Sequence, residues 1–123
     1  MKRLFTFVLL LCCATPAAAE MMTVQHLKDM IAKGGDGEAA AVGYIQGVVD
    51  GMLGMDALHQ KERGTPREFC GFGGANAPRH PAYYTKQLVV AWEQQQRAMN
   101  TLAVDMALAY LSARHACPSE SRQ

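Results

Sequence analysis

The sequence predicts a small all-α bundle of about four main helices with one disulfide, and three observations carry that expectation. Apolar residues recur at three- and four-residue spacing along the segments between Thr23 and Arg114, and no stretch alternates as a half-buried strand does. Helix breakers punctuate the chain at Gly34-Gly35 and between Gly64 and Pro81. Beyond its first nineteen residues the chain carries only two cysteines, Cys70 and Cys117.

Those first residues read as a cleavable secretory signal peptide. Lys2 and Arg3 supply the positive start, Leu4 to Ala14 an apolar run, and Thr15-Pro16-Ala17-Ala18-Ala19 a small-residue end suited to cleavage before Glu20. The apolar run falls well short of the ~20 residues that cross a bilayer, so no membrane anchor is expected after cleavage. Cys12 and Cys13 lack the small residues that precede a lipid-modified cysteine, and both are expected to leave with the leader. What remains, residues 20–123, is near the size of one domain and sufficient for a single modest core. The expected address is the periplasm.

Thr23 caps a first predicted helix through Val24, Leu27, Met30 and Ile31, with Gly34-Gly35 as its stop. Asp36 is placed as the cap of a longer helix from Gly37 to Gln60. Its apolar stripe is expected to run through Ala41, Tyr44 or Ile45, Val48, Met52, Met55 and Leu58. That helix holds Gly43, Gly47 and Gly51 at four-residue intervals, with Gly54 close behind, although each glycine costs roughly 1 kcal/mol against alanine. A cost repeated on one face points to close packing by a neighbouring helix of the same chain, with a dimer seam as the alternative.

Residues 61–81 hold Gly64, Pro66, Gly71, Gly73, Gly74, Pro78 and Pro81 and are expected to form a long loop anchored at Cys70. Pro81 starts a third predicted helix to about Gln96, burying Tyr84, Leu88, Ala91 and Trp92. A fourth, from about Arg97 to Arg114, buries Leu102, Met106, Ala109 and Leu111. Whether the stretch from Glu93 to Asn100 separates these two helices is open, because Gln94-Gln95-Gln96-Arg97 are all good helix formers. Met52, Met55, Met99 and Met106 fall at core-like spacings, so gap filling is expected of them rather than metal handling.

The composition gives little sign of catalysis. Twelve Lys and Arg stand against eleven Asp and Glu, and loss of Lys2 and Arg3 leaves the balance slightly acidic, so nothing calls for nucleic acid or anionic lipid. An even cysteine pair in an exported small domain reads as a bridge, worth about 4 kcal/mol for a loop of this length. Against it stand a Cys70 nucleophile with His80 or His115 as base, and a zinc site from Cys70, His80, His115 and Cys117. Neither has the supporting spacing. Ser112, Ser119 and Ser121 lie outside any nucleophile turn, and the glycines from Gly71 to Gly74 lack the ending of a phosphate loop. Asp50 and Asp56, six apart, do not share a helix face and are expected to be solvated or to cap a neighbour. No cofactor, metal or catalytic residue is expected.

The order of three short features is more telling: Gly43-Tyr44-Ile45-Gln46-Gly47-Val48-Val49-Asp50, then Phe69-Cys70, then a terminal helix closing in His115-Ala116-Cys117-Pro118. In this order the chain, from about Ala39 to Pro118, resembles the Rap/Tai immunity proteins. The family motif falls on Gly43, Tyr44, Gly47 and Asp50. The resemblance implies an all-helical periplasmic protein, often dimeric, that protects a bacterium from peptidoglycan amidases delivered by type VI secretion. It would do so by occluding the amidase's Cys-His site, with no catalysis of its own. Two departures stand out: Ala41-Val42 where the family often has a cysteine, and no proline from Gln94 to Asn100.

Partner contacts are expected from exposed residues of anchoring type on the loop and the next helix start: Phe72, Arg79, His80 and Tyr83. The alternative function is a periplasmic stress or chaperone-like binding protein, similar in size and disulfide use to the HdeA acid chaperones.

Overall fold

The computed structural model describes residues 21–71 and 81–118. Four helices occupy them: α1 (Val24–Lys33), α2 (Gly35–Arg63), α3 (Pro81–Gln94) and α4 (Ala103–Arg114). No strand occurs among the described residues; the extended pieces meet only as two isolated bridges, Thr23 with Leu102 and Phe69 with Ala116. The expected leader, together with Phe72, Arg79 and His80, lies outside the described residues.

α1 forms as its pattern dictates. The Thr23 hydroxyl accepts the amide of His26 at 3.2 Å, Val24 and Leu27 are buried, and Gly34, at φ 65°, ends the helix with its N–H on the Ile31 carbonyl. α2 starts one residue later and is capped by Gly34, with no side-chain cap. Asp36 therefore sits inside the first turn, where its charge faces the positive helix end, and is not the cap expected of it. The tight reversal needs a glycine at position 37: a Cβ there would lie 2.8 Å from the Met30 carbonyl oxygen.

At 29 residues α2 is roughly 44 Å long, about twice the length of any other helix, so the bundle cannot cover all of it. Its buried row is Ala41, Ile45, Val49 and Asp56, with Met52 and Leu53 packed beside it. This differs from the expected stripe: Val48 is half-buried, and Met55 and Leu58 are 52% and 41% exposed. The reason is geometric. Rows at four-residue spacing run oblique to the axis, so helices crossing α2 follow 41, 45 and 49 and leave the face that carries 55 and 58.

α3 contributes Thr85, Leu88 and Val89 to the interior, and α4 contributes Ala103, Met106, Ala107 and Leu111. Ala91, Trp92, Leu102 and Ala109, expected inside, are half-buried. Between the two helices the chain breaks, and α4 begins at Ala103 instead of Arg97. Gln96 takes a left-handed conformation, φ 55°, which costs an L-residue roughly 1–2 kcal/mol. The compensation is tertiary. The Thr101 and Met99 carbonyls accept the Val24 and Gln25 amides at 2.9 and 2.8 Å, and Ala103 donates to the Met22 carbonyl at 2.8 Å. The first-turn amides of α1, which have no partner inside their own helix, are satisfied by a segment that would lose those carbonyls by staying helical.

Candidate functional site

Cys70 and Cys117 form a disulfide, 47 residues apart in sequence. Both sulfurs are thereby committed, which removes the cysteine nucleophile and the zinc set that included them. Among the described residues no three His, Cys, Asp or Glu side chains converge as a metal site would require.

The disulfide closes a strap, residues 65–71, that leaves α2 after the left-handed Gly64 and lies along the end of α4. Cys70 donates to the His115 carbonyl at 2.7 Å and Cys117 to the Glu68 carbonyl at 2.9 Å, forming the Phe69–Ala116 bridge, and Phe69 is buried beneath it. Asp56 holds the strap from the other side. Its carboxylate accepts the Glu68 amide at 2.8 Å and the Phe69 amide at 3.3 Å, with the Arg67 Nε at 3.7 Å. It is 7% exposed, yet its acceptor capacity is used by two amides and a guanidinium, which is how a carboxylate is tolerated inside. Of the two expectations for the α2 aspartates, Asp56 caps a neighbouring segment and Asp50 is solvated.

The four central glycines do not pack. Among the described residues a Cβ built on Gly43, Gly47, Gly51 or Gly54 meets nothing within 4 Å, and all four positions are exposed. The expected close approach of a neighbouring helix of this chain is therefore overturned. The bundle uses the opposite side of α2, where Ile45 is 1% exposed. The open face continues through Ala39, Ala40, Gln46, Asp50, Ala57 and Leu58, forming a shallow lane along the helix with few side chains beyond a methyl group. The four-residue motif divides accordingly: Tyr44 packs against the core, while Gly43, Gly47 and Asp50 lie on the lane.

No family model, curated protein or solved structure matches this chain.

Of the expected contact residues that are described, Tyr83 is 66% exposed at the start of α3. The next residue, Tyr84, turns inward, edge-on to the Tyr110 ring at a centroid distance of 5.3 Å. Its hydroxyl is buried without a hydrogen-bond partner among the described residues, and burial, with Tyr110 adding to it, pushes its ionisation above the usual phenol range. A phenol held neutral in this way is a packing group and offers no base. Sequence reasoning missed a second concave surface, a groove of about 130 Å³ between α3 and α4 whose rim carries Arg97 and Arg114. Its only sequence signal is the Trp92-to-Arg97 spacing, which has meaning only once the chain breaks at Gln96. No described helix is long and apolar enough to cross a membrane.

Proposed function

We propose that the chain is a periplasmic immunity protein that binds a type VI secreted peptidoglycan amidase and occludes its active site. The observation that carries this reading is the open glycine lane on α2. Four helix-interior glycines cost roughly 1 kcal/mol each against alanine, and no contact of Gly43, Gly47, Gly51 or Gly54 among the described residues offsets that cost. A smooth backbone surface that the fold itself does not require is explained by contact with another macromolecule, which can approach such a helix more closely than any other kind. Three of the four motif positions of the Rap/Tai resemblance, Gly43, Gly47 and Asp50, fall on this lane. The leader and the Cys70–Cys117 bridge suit an oxidising compartment beside the cell wall.

The test pairs the oxidised, leader-free protein with the Cys-His amidases encoded beside its gene or delivered by competitors. Stoichiometric inhibition of peptidoglycan cleavage is expected, and Gly47→Arg should abolish it while leaving the helix at least as stable as before, since position 47 is exposed and arginine is the better helix former. No inhibition of any such amidase, together with no rescue of cells expressing one in the periplasm, removes the proposal. Suppression of client aggregation at acid pH in its place would transfer the lane to chaperone-like work. A lane that instead pairs two copies of this chain would appear as a dimer that Gly47→Arg dissociates.

A further inference from the structure

We infer that the groove between α3 and α4 is a second docking site, which receives an acidic protein segment bearing one bulky apolar side chain. The inference rests on the reading of the chain as a binding protein and adds to it a surface to which α2 contributes no lining residue.

The groove is built for an apolar anchor. Leu88 and Met106, both buried core residues, line it together with the half-buried rings of Trp92 and Tyr110. Its volume of about 130 Å³ is close to the ~150 Å³ of apolar cavities that take up benzene, so a leucine, methionine or phenylalanine side chain fits it.

Its rim is built for negative charge. Arg97 and Arg114 both line it, and among the described residues no carboxylate lines it with them. Among the described residues the ion pairs of the fold are made by Lys28 with Glu93, Arg67 with Asp56 and Lys86 with Glu38, so neither rim arginine is neutralised there. Arg97 is also positioned. The left-handed turn at Gln96 folds it back over Trp92, with its guanidinium carbon 4.7 Å from the ring centroid. The indole is itself fixed by its Nε1 donating to the Ala98 carbonyl at 3.1 Å. A guanidinium stacked on a ring keeps its edge donors free for a planar carboxylate, and fixing it beforehand reduces the entropy lost on binding.

Trp92 is the single tryptophan of the chain, so its emission reports occupancy of the groove. The probe is an acetylated, amidated pentapeptide, Gly-Asp-Leu-Asp-Gly, titrated into the oxidised leader-free protein and followed by Trp92 fluorescence and by calorimetry. Saturable binding is expected. It should weaken with added salt, and should weaken about tenfold in the Arg97→Gln/Arg114→Gln double variant. The lane variant Gly47→Arg should bind the peptide normally. Gly-Lys-Leu-Lys-Gly should not bind, and equal binding of the two peptides would overturn the inference. So would the absence of heat and emission change with the acidic peptide, or binding of decanoate without binding of the peptide. Failure of the peptide titration leaves the amidase assay standing, and failure of the amidase assay with the wild-type chain leaves the groove standing.

Discussion

The start and the middle of α2 use glycine in opposite ways. At its start Gly37 is forced by contact: the α1-to-α2 reversal brings the Met30 carbonyl to where a Cβ would be. Further along, a side chain at Gly43, Gly47, Gly51 or Gly54 would touch nothing among the described residues, and these glycines weaken the helix without a return from them. Gly37, with the left-handed Gly35 before it, serves the fold, and four are free to serve something outside it. The aspartates divide along the same helix, since Asp56 is enclosed by strap amides while Asp50 faces solvent on the lane. A residue type in a helix thus says little about its role until the helix face is known.

Breaking the enclosed side should have the largest effect. Asp56→Ala strips two strap amides of their acceptor inside the protein and is expected to cost about 3 kcal/mol in a denaturant titration, with Asp56→Asn costing less because one acceptor remains. A loss no larger than that of an exposed substitution such as Asp50→Ala would refute the role given to the carboxylate.

The glycine contrast is sharpened by a matched pair. Gly37→Ala should destabilise by about 1–3 kcal/mol, because its methyl group meets a backbone oxygen that cannot rotate away. Gly47→Ala should stabilise the isolated protein by up to about 1 kcal/mol, read as a rise in melting temperature. The same sign for both would mean that the start and the middle of the helix do not differ in the way described.

Tyr84 yields the smallest effect. Its hydroxyl is enclosed without a partner, so Tyr84→Phe should be neutral or stabilise by about 1 kcal/mol. The pH dependence has a definite sign. Burial raises the folded-state ionisation above that of the unfolded phenol, so the unfolded chain loses its proton first and stability falls as pH rises past about 10. The Phe variant should lose less stability than wild type across that range, and parallel pH curves would count against the burial of this hydroxyl.

The all-α class, the first helix with its Thr23 cap and the disulfide were legible in the residues, because each depends on local periodicity, local hydrogen bonding or a count of cysteines. The end of α3 was not. Gln94-Gln95-Gln96-Arg97 favour helix locally, and the chain breaks there because α1 requires the carbonyls of Met99 and Thr101. The groove was illegible for the same reason, since it exists only where that break returns Arg97 to Trp92.

Glycine spacing shows the boundary between local and tertiary information most clearly. A row at 43, 47 and 51 can be read from the chain as one face of one helix, and that much is a consequence of helical period. Which side of the row faces the core depends on the oblique crossing of three shorter helices over a longer one, which buries Ala41, Ile45 and Val49 and leaves the glycines open. Period is a property of the backbone and is written in the sequence. Burial is settled only when the other helices choose a side.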